Sequence, residues 1–194
     1  MNLNVNEIFY SLQGEGGRSG EASVFIRLTR CNLRCSFCDT EFDWGTDKSL
    51  EEIYQDIAGY PCRWIIWTGG EPTLQLTEEV IAFFKEKGYQ QAIESNGTRQ
   101  IPASLDYIVC SPKENYDQVK QLNPVVDEIR LPIKKGDLVP GVENFPKASF
   151  YFLSPVFTNN RSSTAENIAY CVEQIKQNPS WRLSLQIHKL IGIE

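Results

Sequence analysis

The stretch Val24-Phe25-Ile26-Arg27-Leu28-Thr29-Arg30-Cys31-Asn32-Leu33-Arg34-Cys35-Ser36-Phe37-Cys38 decides how this chain is read. Its first five residues are largely β-branched, aromatic and aliphatic, without strict alternation, which is the pattern of a strand buried on both faces. The run leads straight into three cysteines within eight residues. Comparable strand signals recur at 64–67, 91–94, 107–110, 128–131, 149–153 and 182–187. Helical patterns separate several of them. Ser49 with Glu52 makes a capping box that opens a helix toward Ala58. Residues 78–87 set Val80, Ile81, Phe83 and Phe84 on one side and end at Gly88, a natural C-terminal cap. Ser163 with Glu166 opens a last helix with a stripe of Ile168, Cys171, Val172 and Ile175, and Asn178-Pro179 stops it. Between 113 and 147 the helical signal is weak and loops are expected. Strand–helix alternation implies an α/β fold with a parallel sheet and right-handed crossovers. About six core strands make an incomplete parallel (β/α) barrel rather than a closed eight-stranded one, in a single domain spanning 1–194.

The unusual polar segments fall where such a fold binds ligands. Cys31 follows the first of these strands, Thr68-Gly69-Gly70-Glu71 the second, Ser95-Asn96-Gly97 the third and Ser111-Pro112-Lys113 the fourth. Ser154-Pro155 follows the sixth and His188-Lys189 the last. The C-terminal ends of parallel strands share one rim, so these segments are expected to build one site.

Composition narrows the chemistry. Nineteen Lys and Arg against 25 Asp and Glu give a formal net charge of −6, with no basic cluster for phosphates, so nucleic acid is not an expected partner. No apolar run reaches the ~20 residues that span a bilayer, and the start Met1-Asn2-Leu3-Asn4 lacks the basic and apolar regions of a signal peptide. A cytoplasmic protein without a membrane partner is the expectation. In that reducing compartment clustered cysteines point to metal or redox chemistry rather than disulfides. Cys62, Cys110 and Cys171 lie scattered among apolar residues, as small buried hydrophobes do.

Cys31, Cys35 and Cys38 form C-x3-C-x2-C. Three thiolates on a short loop suit an iron–sulfur cubane, and leave one iron open to a small molecule. Structural zinc is the alternative, but it wants a closed shell of four N or S ligands. With His188 as the only histidine, zinc needs a distant cysteine to complete its shell.

C-x3-C-x2-C with an aromatic residue, Phe37, before the last cysteine resembles the signature of the radical S-adenosylmethionine (SAM) superfamily. Thr68-Gly69-Gly70-Glu71-Pro72 is similar to that superfamily's GGE motif. The resemblance implies a [4Fe–4S] cluster whose open iron binds SAM, and reductive cleavage to a 5′-deoxyadenosyl radical. Over nearly the whole chain the sequence resembles one family within it, 7-carboxy-7-deazaguanine synthase. The segments that carry this are Ser11-Leu12-Gln13-Gly14-Glu15-Gly16, Cys38-Asp39-Thr40, Glu94-Ser95-Asn96-Gly97-Thr98, Ser111-Pro112-Lys113 and Leu185-Gln186-Ile187-His188-Lys189. The implied reaction converts 6-carboxy-5,6,7,8-tetrahydropterin to 7-carboxy-7-deazaguanine with loss of ammonia, in queuosine and deazapurine biosynthesis. SAM is then regenerated at each turnover and Mg²⁺ assists.

The resemblance also implies a site map. Phe37, Asp39, Gly70, Glu71, Ser95, Ser111, Pro112 and Lys113 hold SAM, with Gly70 and Glu71 at its amino group and Phe37 giving its backbone to the adenine. Thr40 is the Mg²⁺ ligand, the plain alternative being that Asp39-Thr40 caps the turn after Cys38. Leu12, Gln13, Gly14, Glu15, Arg27, Thr68 and His188 meet the substrate. Gln13 and Glu15 have the donors and acceptors to read a pterin edge, and Arg27 the fork to grip a carboxylate. Their alternatives are a polar turn and a structural ion pair. No protein nucleophile or other catalytic side chain is expected, because the cofactor performs the abstraction. An electron donor such as flavodoxin and a homodimer are implied by the family alone. Residues 134–147 match no family motif. The rivals are a glycyl-radical activating enzyme, which acts on a protein, and a non-enzymatic zinc or redox module.

Overall fold

The computed structural model describes residues 1–38 and 40–193; Asp39, an expected SAM neighbour, lies outside them. In chain order the elements are β1 (Asn2–Leu12), β2 (Ala22–Leu28), β3 (Thr46–Ser49), α1 (Leu50–Ile57), β4 (Trp64–Gly69), α2 (Glu78–Glu86), β5 (Gln90–Ser95), β6 (Tyr107–Cys110), α3 (Tyr116–Leu122), β7 (Glu128–Ile133), β8 (Phe150–Pro155), α4 (Arg161–Gln177), β9 (Arg182–Leu183) and α5 (Ile187–Ile191). They build one sheet in the order β3-β1-β2-β4-β5-β6-β7-β8-β9. From β2 to β9 every pairing is parallel, while β1 runs antiparallel to both β2 and β3. The expected open parallel barrel is therefore present, with six strands of four to seven residues, the two-residue β9, and an antiparallel pair added at the β2 edge.

Buried aliphatic and aromatic side chains hold the outer faces of the sheet to the helices. Ile26, Ile65, Trp67 and Ile93 pack with Ile53 and Ile57 of α1 and Val80, Ile81 and Phe84 of α2. Ile129, Leu131 and Leu153 pack with Val119 of α3, Cys171 of α4 and Trp181. The capping box of α1 forms as expected, with Ser49 Oγ accepting from Glu52 N–H and Glu52 Oε2 accepting from Ser49 N–H. α2 runs to its expected end, where Gly88 takes a φ of +83°.

Six elements differ from the expectation. β1 was not anticipated: Leu3 and Val5 face the core, a register shift falls between Val5 and Glu7, and beyond it Ile8 packs on the core instead. That bulge switches the parity of the apolar positions and breaks the alternation that marks a strand. β3 is a polar edge strand of four residues, Thr-Asp-Lys-Ser. α3 forms where loops were expected, covering the core with buried Val119 and partly buried Tyr116. The strand expected at 182–187 pairs for only two residues; Ile187 instead starts α5. α4 also starts earlier than its Ser163 pattern suggested, capped by Asn160, whose Oδ1 accepts from Ser162 and Ser163 N–H. Among the described residues no helix is long and apolar enough to cross a membrane.

Candidate active site

A cavity of about 540 Å³ opens at the C-terminal ends of the parallel strands. Its wall takes Leu12 from the end of β1, Gln13, Gly14 and Glu15 from the β1–β2 hairpin loop, Arg27 from β2, Cys31, Cys35, Phe37, Cys38 and Thr40 from the loop after β2, Thr68 from β4 and Gly70 from just beyond it. Ser95, Ser111, Lys113 and His188 complete the expected set on the other rim segments. Two expected cofactor residues do not reach it: Glu71 is fully enclosed behind the wall, and Pro112 is buried.

The cysteine loop is set by its neighbours. Arg30 turns the chain out of β2 with a φ of +70°, and its carbonyl accepts Glu71 N–H at 2.8 Å while Leu28 C=O accepts Gly70 N–H at 3.1 Å. Gly70 allows this approach, because a Cβ there would lie 1.9 Å from Arg30 O; Gly69 likewise has a φ of +122° and a Cβ position 2.1 Å from Leu28 O. The glycines thus let two rim loops meet, in addition to any approach to a ligand. Glu71 serves the same end. Its carboxylate accepts Thr73 N–H, Thr73 Oγ1–H, Ser95 Oγ–H and Asn96 N–H at 2.7 to 3.0 Å, which fixes the loop after β5. From that loop Asn96 Nδ2 donates to Asn32 Oδ1, and Asn32 Nδ2 donates to Thr98 Oγ1, so the residue just after the first cysteine is tied to the loop after β5.

The three thiols fit an iron–sulfur cluster. Burial pushes the Cys31 thiol up, the Leu33 N–H pulls it back, and Glu71, Cys35 and Cys38 push it up again. Burial also raises Cys35, against the pull of Lys113. Cys31 and Cys35, whose thiols resist ionisation, would be drawn to the thiolate form by the charge of a bound cluster. Among the described residues no three His, Cys, Asp or Glu side chains converge closely enough for a single metal ion.

The opposite wall is polar and built around one guanidinium. Arg130, on β7, lies 2.6 Å from Glu15, 3.0 and 3.1 Å from the two carboxylate oxygens of Glu94, and 2.9 to 3.0 Å from Glu128. Gln13 Nε2 donates to Glu94 Oε1 and Gln13 Oε1 accepts Glu15 N–H, so the hairpin loop closes onto β5 and β7. Two further bonds, Gly16 N–H to Ser184 Oγ and Ile187 N–H to Gly14 C=O, carry the loop across the barrel's open side to the segment after β9. Burial lifts the Glu94 carboxyl to about 7; Arg130 pulls it down, and Glu128 and Glu15 push it up. Burial likewise lowers Lys113, whose Nζ donates to Ser111 Oγ, itself donating to Arg130 C=O. Arg27 makes the ion pair that was its alternative reading, Nε to Glu7 Oε1 at 2.6 Å, and still faces the cavity. The His188 ring sits where a Cβ on Gly14 would be, 2.1 Å from Nδ1, so a side chain at position 14 would displace it.

The radical SAM superfamily model matches residues 25–138. The 7-carboxy-7-deazaguanine synthase of Bacteroides thetaiotaomicron is 43% identical over 189 residues, covering 97% of each chain. This chain belongs to the 7-carboxy-7-deazaguanine synthase family. The synthases of Haemophilus influenzae, at 40% identity over all of this chain and 95% of its own, and of Bordetella pertussis, at 36% over the whole of both, agree. The crystal structure of QueE from Escherichia coli superposes with a TM-score of 0.76 at 25% identity, covering 97% of this chain and 95% of that one.

Membership of this synthase family, within the radical SAM superfamily, brings a [4Fe–4S] cluster and SAM as cofactors, and Cys31, Cys35 and Cys38 lie together on the cavity wall. Among the cavity residues that the expected site lacked are two paired charges, Glu94 and Arg130. The signal for them was in the sequence: charged residues inside apolar strands need partners, and Glu94, Glu128 and Arg130 each interrupt one. Lys134, from the stretch given no role, places its Nζ 5.0 Å from the centre of the Phe37 ring.

Proposed function

We propose that this chain converts 6-carboxy-5,6,7,8-tetrahydropterin to 7-carboxy-7-deazaguanine with loss of ammonia, as one radical SAM domain in queuosine or deazapurine biosynthesis. The observation that carries the proposal is the single cavity that brings the three cysteines opposite a wall of Gln13, Glu15, Glu94 and Arg130. Its volume of about 540 Å³ lies within the roughly 300–1,000 Å³ of small-molecule sites.

The cluster and SAM supply one-electron hydrogen abstraction; the chain supplies position and shelter. Gln13, Glu15 and Glu94 offer acceptors to the N–H edge of the pterin. Arg27 gives its Nε to Glu7, so its terminal nitrogens are left to face the substrate carboxylate. Thr40, beside Cys38 on the wall, contributes a hard oxygen to Mg²⁺ that the substrate carboxylate completes. Lys113, Ser111, Ser95, Gly70 and the Phe37 backbone border SAM, and Asp39 and Pro112 stay in that group by resemblance alone. Glu71 acts on SAM through the loops it fixes. His188, Lys189 and Ile193 close the mouth over the substrate and exclude water. The working form is a cytoplasmic homodimer reduced by an electron carrier such as flavodoxin.

The test is anaerobic turnover with SAM, Mg²⁺ and the carboxylated tetrahydropterin. One ammonia released per pterin consumed supports the proposal. Pterin left intact while a partner protein acquires a glycyl radical would replace it with the activase reading.

A further inference from the structure

Arg130 gathers carboxylates from three separate segments of the chain. Glu15 comes from the hairpin loop, Glu94 from β5, and Glu128 from β7 itself, and all three carboxylates meet one guanidinium. Four hydrogen bonds leave its guanidinium. Nε donates to Glu128, the two terminal nitrogens clasp Glu94 as a bidentate fork, and the nearer of them also donates to Glu15. The second terminal nitrogen lies 2.9 Å from Glu128. Only a planar fork serves so many acceptors in fixed directions; an ammonium cannot.

The far side of the network is fixed too. Glu128 Oε2 accepts from Gly17 N–H at 2.9 Å and from Tyr107 Oη–H at 3.0 Å, and Gly16 has no room for a Cβ against Glu128. Glu128 thus braces Arg130, while Glu15, Glu94 and the guanidinium between them border the cavity. Side-chain exposures of 15% for Glu15, 19% for Glu94 and 1% for Glu128 place three carboxylates around one cation with little water. Such an excess of enclosed acceptors calls for donors. The pyrimidinone edge of a pterin carries them side by side, a ring N–H and an exocyclic amino group.

We infer that Arg130 is a positioning residue that holds Glu15 and Glu94 as a matched pair of acceptors for the adjacent N–H donors of the pterin edge, and so sets substrate selectivity without touching the substrate. This rests on the proposed pterin reaction, and wild-type turnover tests that reaction separately. The groups facing Glu94 are Arg130 and Glu128 from β7 and Glu15 and Gln13 from the hairpin loop, with Tyr107 of β6 acting through Glu128. Lys113, after β6, acts on Glu15 and Arg130.

The experiment compares wild type with Arg130→Lys and with the pair Glu128→Gln/Arg130→Gln, which removes the cation together with its most buried partner should the first variant not fold. Each cluster-loaded protein is assayed from pH 6 to 9 with the carboxylated tetrahydropterin and with an analogue lacking the 2-amino group. For whichever variant folds, the expected result is iron content and SAM affinity near wild type and a substrate KM raised about 10–100-fold, the equivalent of roughly 1.4–2.8 kcal/mol. Preference for the amino-bearing substrate should fall by a similar factor, and KM should improve toward high pH as the weakened pair ionises. A folded variant of either kind with wild-type KM, pH profile and amino-group preference overturns the inference. So does a loss of activity accounted for entirely by lost iron.

Discussion

Gly70→Ala is the sharpest probe of how the rim is assembled. An added Cβ would meet Arg30 O at 1.9 Å, Arg30 C at 2.4 Å and Cys31 N at 2.9 Å, all backbone atoms of the cysteine loop. To reach even 3.0 Å from Arg30 O the two loops must part by at least 1.1 Å. That movement strains the Glu71 N–H to Arg30 C=O bond of 2.8 Å and the Gly70 N–H to Leu28 C=O bond of 3.1 Å. Overpacking costs about 1–3 kcal/mol and each lost hydrogen bond about 0.5–1.5 kcal/mol, so a net loss of roughly 2–4 kcal/mol is expected. For a chain of this length that lowers Tm by about 4–16 °C. The displacement falls on Cys31, so cluster loading should fall as well. The assay is thermal unfolding of the metal-free protein together with iron and sulfide content after anaerobic reconstitution. A Gly70→Ala protein with wild-type Tm and full cluster loading would refute the direct docking of the two loops.

Other consequences follow from the same site. Glu94, lifted to about 7 by burial, is a neutral donor below that pH and an anionic acceptor above it. Substrate KM in wild type should therefore fall as pH rises through 7 and then level, and Glu94→Gln should abolish that limb; an identical pH profile in the variant would exclude Glu94 as the titrating group. Because the folded value exceeds the ordinary 4.5, this group's contribution to stability is lost as pH rises from 4.5 to 7, and the same variant should flatten that part of a Tm–pH curve. Thr40→Val should raise the Mg²⁺ concentration needed for activity and Thr40→Ser should do so less; equal Mg²⁺ dependence in all three proteins makes Thr40 a turn residue only. Deleting residues 189–194 removes Lys189 and Ile193 from the cavity mouth, and should raise substrate KM and abortive 5′-deoxyadenosine release while cluster content stays unchanged. An unaltered KM with no extra 5′-deoxyadenosine shows that the tail does not close the site.

The parts of the fold that could be read in advance are those whose physics is local. Unalternating apolar strands such as 64–67, the capping box at Ser49 and Glu52, and the stop at Gly88 each state their structure within a few residues. β1 could not be read in this way, because its bulge after Val5 moves the core-facing positions from odd to even and leaves neither period intact. α5 stands where the β9 pattern continues, because only Arg182 and Leu183 find a partner strand in β8. The cysteine and glycine segments were legible as chemistry, but their geometry was not. Gly70 makes room for another loop, and Glu71 spends its acceptors on Thr73, Ser95 and Asn96. Arg130 and Glu94 were hidden by long sequence separation: Arg130 and Glu15 lie 115 residues apart, and only barrel curvature brings them together.

The most direct measurement is the mass of the product formed when reduced, cluster-loaded protein is given SAM, Mg²⁺ and 6-carboxy-5,6,7,8-tetrahydropterin. A product with the mass of 7-carboxy-7-deazaguanine, accumulating over many turnovers and absent with Cys35→Ala, is the predicted result. An unchanged pterin in the presence of an intact cluster, with SAM consumed to 5′-deoxyadenosine alone, would contradict the account.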